Sequence, residues 1–460
     1  MAVLNVWMNG EHVGQWSTLR TGTSVFRYSE SWTQSAYSRP LSVSLPITAD
    51  RELRGSVVEN YFDNLLPDSV ELRRRMRSHY GARSLSPFDL LAAAGRDCVG
   101  AVQLLEPKQE PLGWNRIEAN RLSEADVAEL LRGVGAPVLG VHRADTQDFR
   151  ISIAGAQEKT ALLHYSGAWH IPKNSTPTTH ILKLPLGLIG GARVDMTHSV
   201  ENEWLCAQFL RELGLPVANT SMAKFEEQSV LVVERFDRRW MGIQPAASEK
   251  RSFKPSARTW IARLPQEDFC QALGLPPSKK YEADGGPSME SALQLLSGGE
   301  EPEQDKSTFV LAQLAFWLLA ATDGHGKNFS LRHYNEGRYR MTPLYDVISM
   351  WPVVGDGANQ ISRKRLKMSM ALAGKRRHYR LEEIQPRHFV ELATRTGVEN
   401  LVSRMRELAD SLDAAWDRIE ASLPKNFPIR VFSRIRKESR VQAKRFLATP
   451  HLDTRNRLRP

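Results

Sequence analysis

One apolar run, FVLAQLAFWLLA from Phe309 to Ala320, constrains the fold of this 460-residue chain most strongly. Gln313 is its only polar residue, and the run is far shorter than the roughly 20 residues that cross a bilayer. We therefore expect a buried core helix. The polar sequence TDGHGKN follows directly. We expect its two glycines to end the helix and to let the chain turn, so that the polar side chains project from a rigid base.

The length of the chain predicts two or three domains or lobes and is sufficient for an enzyme. The N-terminal sequence MAVLNVWMNG lacks the basic and apolar regions of a signal peptide. No later segment has the length of a membrane span. Three isolated cysteines, Cys98, Cys206 and Cys270, disfavour a disulfide framework and a structural zinc site. We therefore expect a cytoplasmic protein without a membrane partner.

The net charge is +10, from 62 Lys and Arg residues against 52 Asp and Glu residues. Most of the excess lies between Lys425 and Pro460, where eleven basic residues stand against two acids. A second basic run, from Ser362 to Arg380, contains no acid. Such clusters can bind phosphate groups, but a solvated face or a disordered tail explains them equally well. The tail also contains apolar residues, so a helix docked on the rest of the protein is a further interpretation.

The segment SVENEWLCAQFLREL, Ser199 to Leu213, has the pattern of an amphipathic helix closed by Gly214. Glu203 lies on the same face as Val200 and Leu210. We therefore expect Glu203 to turn inward. Two strand-like runs precede this helix, FRISIAGAQEKTALLHY and HILKLP, and the loop PKNSTPTT lies between them. Lys183 lies in the second of these runs.

Asp323 and Asn328 are five residues apart, and Asp346 follows in TPLYDVISMW. Phosphoryl transfer requires a carboxylate that orients the attacking hydroxyl. It also requires oxygen ligands for hard cations, which an amide and a second carboxylate can supply. The spacing D-x-x-x-x-N is typical of protein kinase catalytic loops, although alone it is a weak signal. Three upstream features stand in the order in which protein kinases have them. They are a loop with Gly155, then Lys183, then Glu203. The strand LVVERF follows and could meet an adenine edge.

The chain resembles the HipA family of serine/threonine kinase toxins from bacterial toxin–antitoxin modules. The resemblance extends over most of the chain and rests on the segments VWMNGEHVG, FDNLLPDS, PFDLL, GRDCVGAV, DFRISIAGAQEKTALL, TPTTHILKLP, VERFDRRW, RLPQEDFCQALGLP, KYEADGGP, ATDGHGKNFS and PLYDVIS. It implies an α+β, kinase-like two-lobed fold with an N-terminal mixed α/β lobe and a helical C-terminal lobe. It also implies ATP and magnesium as cofactors.

On this resemblance we divide the chain into four parts. These are an N-terminal α/β subdomain (1–105), the ATP-binding part of the N-lobe (106–260), a helical catalytic C-lobe (261–425) and a basic C-terminal tail (426–460). The segment 241–260 is an insertion relative to the family. The pattern after it is mainly helical to about Leu423.

The resemblance also assigns the site residues. It makes Asp323 the catalytic aspartate, Asn328 and Asp346 the magnesium ligands, and Ser152 a site of autophosphorylation. The expected ATP contacts are Ser152, Ala154, Gly155, Ala156, Gln157, Lys183, Glu203, Glu234, Phe236, His325 and Lys327. The sequence departs from ordinary kinases in having one glycine in place of GxGxxG and Asp-Val in place of Asp-Phe-Gly.

The expected partners are a helix-turn-helix, HipB-like antitoxin, operator DNA through that complex, and glutamyl-tRNA synthetase as protein substrate. The antitoxin complex would place the protein at the nucleoid.

Structural interpretations remain open for individual residues. Lys183 could be a surface charge, Glu203 a salt-bridge partner, His325 a structural residue, Lys327 a loop charge and Ser152 a plain strand hydroxyl. A metal-dependent phosphohydrolase is disfavoured because none of the twelve histidines is followed by Asp. The main alternative function is a non-catalytic DNA-binding corepressor subunit of the antitoxin complex.

Overall fold

The structure is a computed structural model that describes residues 2–135, 157–191, 193–242 and 258–449. No helix within these ranges is long and apolar enough to span a membrane. The α+β class expected from the sequence is confirmed, because helices and several separate sheets alternate along the chain.

The N-terminal part is an antiparallel five-stranded sheet in the order β4-β3-β2-β1-β5, with helices packed against it. Trp16 and Phe62 stack in its core with ring centroids 4.1 Å apart. The elements are β1 (Ala2–Met8), β2 (Glu11–Thr18), β3 (Ser24–Tyr28), α1 (Glu30–Thr33), β4 (Glu52–Arg54), α2 (Ser56–Asp63), α3 (Val70–Tyr80), α4 (Pro87–Ala94) and β5 (Gln103–Leu105).

A second sheet of six strands has the order β12-β13-β9-β7-β8-β6. The predicted strands around Lys159 and Lys183, the loop 173–179 and the helix from Ser199 are all present. The elements are β6 (Ala119–Arg121), α5 (Glu124–Gly135), β7 (Lys159–Tyr165), β8 (Ala168–Pro172), β9 (His180–Lys183), β10 (Gly187–Ile189), β11 (Val194–Met196), α6 (Ser199–Glu212), β12 (Thr220–Phe225) and β13 (Gln228–Glu234).

The C-terminal part is built around helices and contains three small sheets among the described residues. The sequence before Asp346 indicated a short strand or hairpin, which is present within residues 330–341. The helical sequence pattern did not indicate the other two sheets. The elements of this part are β14 (Arg238–Met241), β15 (Trp260–Arg263), β16 (Gln266–Asp268), α7 (Phe269–Ala272), α8 (Met289–Ser297), α9 (Pro302–Leu319), β17 (Ser330–His333), β18 (Tyr339–Met341), β19 (Lys367–Ala373), β20 (Arg377–Arg380), α10 (Pro386–Thr396), α11 (Leu401–Asp410), α12 (Leu412–Ala421) and α13 (Ile429–Leu447).

Helix α9 is the buried core helix that the apolar run predicts. The expectation that the following glycines end it is wrong, because the helix ends at Ala320 in the left-handed conformation (φ 48°). The glycines serve close packing instead. A Cβ on Gly324 would lie 2.7 Å from the Phe316 ring, and one on Gly326 would lie 2.6 Å from Pro287.

The C-terminal basic region contains helix α13, which is docked rather than free. Phe432, Ile435 and Phe446 are buried in the same core cluster as α9. Basic residues such as Lys437 and Lys444 lie on the exposed face of this helix. The docked-helix interpretation of residues 429–447 is therefore the correct one. Residues 243–257, which include most of the insertion, lie outside the described ranges.

A buried charge cluster joins the three parts of the molecule. The Asp97 carboxylate from the N-terminal part accepts hydrogen bonds from Arg238 Nη2 (2.9 Å) and from Thr178 Oγ1 (2.6 Å). Arg235 and Arg263 also pair with the Asp97 carboxylate, at 3.3 and 3.1 Å. Burial alone would raise the pKa of Asp97, but the three guanidinium groups hold it well below its ordinary value. Asp237 is a second buried carboxylate of the cluster, since it pairs with Arg235 at 2.7 Å and accepts from Gly100 N of the N-terminal part at 2.7 Å. Two carboxylates and three guanidinium groups thus hold the three parts together.

Candidate active site

Lys183 lies at the centre of the site. It ends strand β9, and its Nζ donates to Glu203 Oε1 at 2.6 Å and to Asp346 Oδ1 at 2.9 Å. Lys183 and Glu203 are both buried. Burial would lower the pKa of Lys183, but the two carboxylates raise it above its ordinary value, so the side chain stays charged. Glu203 thus turns inward, as the helical pattern predicts, and its partner there is Lys183.

Helix α6 places Glu203 because its apolar face packs on strands β12 and β13. Val200 on this face is buried together with Leu231 and Val233 of β13. The helix also fixes the segment that carries Asp346, since Asn202 Nδ2 donates to Ser349 O (2.7 Å) and Asn202 Oδ1 accepts from Ser349 N (2.9 Å). Glu203 and Asp346 are therefore held on either side of Lys183.

Asp346 combines ionisation with partial access to solvent. Its side chain is 31% exposed and its backbone adopts a left-handed conformation (φ 60°). Burial opposes ionisation, yet the charges of Lys183 and Lys159 hold the pKa of Asp346 well below its ordinary value. This carboxylate is an anion available to a cation.

Lys159 is a second lysine of the site that sequence reasoning missed. Strand β7 pairs with β9 so that Lys159 is directly opposite Lys183 in the ladder. Desolvation at this position lowers the pKa of Lys159 to about 8, although Asp346 and Glu203 favour its charged form. Its position inside the family segment AGAQEKTALL, at the start of a strand-like run, was the signal that could have identified it.

The segment predicted to be catalytic follows α9 and presents Asp323 to solvent. The Asp323 side chain is 64% exposed. Asn328 is buried, and its Nδ2 donates to the backbone oxygen of Asp323 at 2.7 Å. Because a carbonyl oxygen only accepts hydrogen bonds, the nitrogen of Asn328 must face it. The amide oxygen of Asn328 is therefore the atom left for a cation.

Tyr345 connects this segment to Asp346. The Tyr345 hydroxyl donates to the backbone oxygen of Lys327 at 2.9 Å and is hydrogen-bonded to Ser330 Oγ. Asn328 follows Lys327 in the sequence, and Asp346 follows Tyr345. The Tyr345–Lys327 bond thus links the two backbone segments that carry the candidate metal ligands.

The two candidate oxygen ligands fit Mg²⁺, which keeps several waters and takes its remaining ligands from substrate phosphates. An amide oxygen and an ionised carboxylate are ligands that hard cations prefer. No group of three or more His, Cys, Asp or Glu residues within the described ranges forms a complete protein cage for a metal. A Mg²⁺ ion held by these two oxygens would take its remaining ligands from water and from substrate phosphates.

His325 is buried, with its ring centroid 5.1 Å from that of Tyr281. Its Nε2 lies 3.9 Å from Asp323 Oδ2. Burial lowers the pKa of His325, although Asp323 acts in the opposite direction. Among the described residues, Nδ1 of His325 has no hydrogen-bond partner. A buried polar atom in this condition is available to a ligand.

Lys327 has a role that the sequence did not indicate. It is buried, and its Nζ donates to Asp68 Oδ1 at 2.6 Å and to Asn64 O at 3.3 Å. Asp68 also accepts from Lys280 at 2.9 Å. Burial raises the pKa of Asp68, but the two ammonium groups outweigh it and hold the value at about 2. The structure thus ties Lys327 to the N-terminal part, and its contact with nucleotide stays a prediction.

Glu234 and Phe236, the predicted contacts of the adenine edge, lie at the end of β13 and two residues beyond it. Glu234 is exposed, and its Oε2 accepts from Asn219 Nδ2 at 2.9 Å. Phe236 is half-buried, with its ring 5.7 Å from that of Tyr345. Contact of Glu234 and Phe236 with adenine stays a prediction.

Four predicted contacts, Ser152, Ala154, Gly155 and Ala156, lie outside the described residues. Gln157 is described, and its Nε2 donates to Leu184 O at 2.6 Å. This bond places Gln157 next to Lys183.

Two protein families match the chain. The family described as HipA N-terminal domain matches residues 4–105, and the family described as HipA-like C-terminal domain matches residues 151–416. The second match covers more than half of the chain and includes all of the predicted site residues.

Two individual proteins are also similar to this chain over most of its length. Y4mE of Sinorhizobium fredii, named as a kinase, is 34% identical over 352 residues, which cover 75% of this chain and 77% of that protein. The serine/threonine-protein kinase toxin HipA of Shewanella oneidensis is 27% identical over 339 residues, 71% of this chain and 70% of that protein.

A solved structure of Shewanella oneidensis HipA, in a complex with HipB and operator DNA, has a TM-score of 0.74 against this chain. The two chains are 22% identical, and the match covers 96% of this chain and 97% of that one. This similarity shows a shared fold.

Proposed function

The chain belongs to the HipA family of kinases, and from this premise we propose that it transfers the γ-phosphate of ATP to a serine or threonine hydroxyl of a protein. We propose further that it acts as the toxin of a type II toxin–antitoxin system and arrests translation and growth.

The observation that supports the proposal most strongly is the position of Lys183 between Glu203 and Asp346, at 2.6 and 2.9 Å. Three charged groups from a strand, a helix and a loop converge although each is costly to bury. An arrangement of this kind is favourable where a highly charged ligand binds. Lys183 would contact the nucleotide phosphates, and Lys159 would add a second positive charge next to it.

Asn328 and Asp346 would hold Mg²⁺. When bound, the cation would neutralise negative charge on the phosphates. Asp346 is suited to this role because it stays ionised beside Lys183. Asn328 is suited because its nitrogen is already committed to Asp323 O.

Asp323 would orient the attacking hydroxyl and accept its proton. The hydroxyl oxygen forms the bond to the γ-phosphorus while the bond from that phosphorus to the leaving oxygen of ADP breaks. The exposure of the Asp323 side chain suits this role, because a protein substrate must reach it from solvent. His325 lies beside the carboxylate and could donate to a phosphate oxygen.

The proposed partners follow from the relatives. The Shewanella oneidensis HipA structure contains HipB and operator DNA, and we propose an equivalent helix-turn-helix antitoxin and operator for this chain. We propose glutamyl-tRNA synthetase as the protein substrate, and Ser152 as an autophosphorylation site in the loop that covers the ATP phosphates. A phosphate there adds roughly −1.5 to −2 charges and would repel the nucleotide.

The function is tested with the purified full-length chain and labelled ATP, with magnesium or with a chelator. We expect magnesium-dependent ATP consumption and transfer of label to glutamyl-tRNA synthetase. Phosphoproteomics after brief induction identifies any other substrate. Absence of ATP consumption, with intact binding to antitoxin and operator, would instead support the non-catalytic corepressor subunit.

A further inference from the structure

We propose that Tyr281 is a positioning residue that holds the Asp323 carboxylate in the orientation needed to accept a substrate proton. This inference rests on the proposed kinase function and deepens it. Tyr281 lies between α7 and α8, in the segment KYEADGGP, 42 residues before Asp323.

The contact between the two residues is a hydrogen bond. Tyr281 Oη donates to Asp323 Oδ1 at 2.8 Å. Because the Asp323 side chain is 64% exposed, packing alone does not fix its rotamer. With Oδ1 occupied by the phenol, Oδ2 is the oxygen left to accept a proton from a substrate hydroxyl. The Tyr281 bond thus distinguishes two otherwise equivalent oxygens.

The phenol ring is itself held firmly. Its centroid lies 5.1 Å from that of the buried His325 in an edge-to-face arrangement. The Tyr281 backbone oxygen accepts from Asp284 N at 3.0 Å and from Gly286 N at 2.9 Å. Any side chain at Gly286 would collide with the Lys279 backbone, so the tight turn requires glycine. A side chain in such a turn can position another one.

The residues on either side of Tyr281 are anchored to different parts of the site. The Lys280 backbone oxygen accepts from Gly326 N at 3.0 Å, and Lys280 Nζ binds Asp68 at 2.9 Å. Glu282 accepts from Ala371 N of β19 at 2.6 Å and pairs with Arg377. Tyr281 is therefore fixed relative to both the catalytic segment and the N-terminal part.

The protonation state of Tyr281 suits a donor. Burial and the neighbouring charge of Asp323 raise its pKa above the ordinary value for tyrosine. The phenol therefore keeps its proton over the pH range in which a kinase is assayed, and it donates rather than accepts.

The test compares Tyr281→Phe with the wild type. Phenylalanine keeps the ring against His325 and removes only the hydroxyl, so the melting temperature should not change. We expect kcat to fall roughly 10- to 100-fold, as loss of one hydrogen bond to a charged group predicts. The KM for ATP and the affinity for Mg-ATP should stay unchanged, because Lys183 and Asp346 are intact. The control is Tyr165→Phe, the same change in the β7–β8 hairpin, where the ring stacks on Trp240.

The outcomes separate this inference from the function on which it rests. A lower kcat in Tyr281→Phe alone, with unchanged ATP affinity, supports the inference. An active wild type with an unchanged kcat in Tyr281→Phe overturns the inference and leaves the kinase function standing. A parallel fall in kcat and ATP affinity with a lower melting temperature would show a structural role and also overturn it. A wild type without ATP turnover would overturn the kinase function and the inference together.

Discussion

Lys183 Nζ donates to Asp346 Oδ1 across 2.9 Å and thereby joins strand β9 to the loop after β18, which is 163 residues further along the chain. The same ammonium contacts Glu203 on α6. Three elements that are remote in sequence therefore meet at one positive charge. The predictions below concern this site and the contacts that hold it in place.

Asp346→Ala should abolish magnesium-dependent binding of ATP, because it removes a carboxylate ligand of the cation. The fold should persist, since Lys183 keeps its bond to Glu203. Calorimetry with ATP, in magnesium and in chelator, measures the effect. The exposed Asp356 in the same segment provides the control variant Asp356→Ala. Unchanged affinity of Asp346→Ala for Mg-ATP would refute the assignment.

Lys159→Met should stabilise the protein at pH 7 while weakening ATP binding. The folded protein bears the cost of desolvating the half-buried ammonium group, which lowers the pKa of Lys159 from 10.5 to about 8. Removing that charge should raise the free energy of unfolding by up to about 3 kcal/mol. Above pH 8, Lys159 loses its proton in the folded protein but keeps it in the unfolded chain. The stability gained by Lys159→Met should therefore shrink as the pH rises toward 10.5.

Urea unfolding at pH 7 and pH 10 tests this prediction. Lys173→Met, at an exposed position, is the control. A Lys159→Met protein that is less stable than the wild type at pH 7, or one whose gain does not depend on pH, would contradict the prediction.

Asp97→Asn should destabilise the protein by about 3–5 kcal/mol, because it removes the carboxylate that pairs with the buried Arg263 and leaves the buried Arg235 and Arg238 to share Asp237. The exposed pair of Asp413 with Arg440 is the control, and Asp413→Asn should cost less than about 1 kcal/mol. Chemical denaturation measures both changes. Equal effects of the two substitutions would show that the buried cluster has no special importance.

The sequence predicted those parts of the site whose residues have distinctive types and spacing. Lys183, Glu203, Asp323 and Asp346 stand in kinase order, and the apolar face of α6 indicated that Glu203 turns inward. Tyr281 gave no such signal, because its hydroxyl reaches Asp323 only through the folded loop between α7 and α8. Such a contact depends on tertiary packing and has no local pattern.

The same limit explains two other differences. The pairing of Lys327 with Asp68 joins residues 259 positions apart, and charge alone could not select that partner. The end of α9 at Ala320 was missed because alanine rarely adopts a left-handed conformation. It does so here where Met350 N donates to the Ala320 backbone oxygen at 3.1 Å.

The basic face of α13 yields a prediction about DNA. If Lys437 and Lys444 bind operator phosphates in an antitoxin complex, replacing both with Gln should lower the slope of log affinity against log salt by about 0.9 for each phosphate that is no longer neutralised. ATP turnover should not change. Truncation after residue 430 is unsuitable for this test, because Phe432 and Phe446 are core residues and the protein should then melt at a lower temperature. An unchanged salt slope in the double variant would exclude phosphate binding by these two lysines.

The most direct test of the central claim is transfer of labelled phosphate from ATP to a protein substrate by Asp323→Asn, compared with the wild type. Asparagine preserves the size of the side chain and the bond from Tyr281, but it cannot accept a proton from the substrate hydroxyl. We predict that phosphoryl transfer and growth arrest are lost, while the melting temperature and the affinity for Mg-ATP stay close to those of the wild type. Phosphate transfer or growth arrest at the wild-type level by Asp323→Asn would contradict the account.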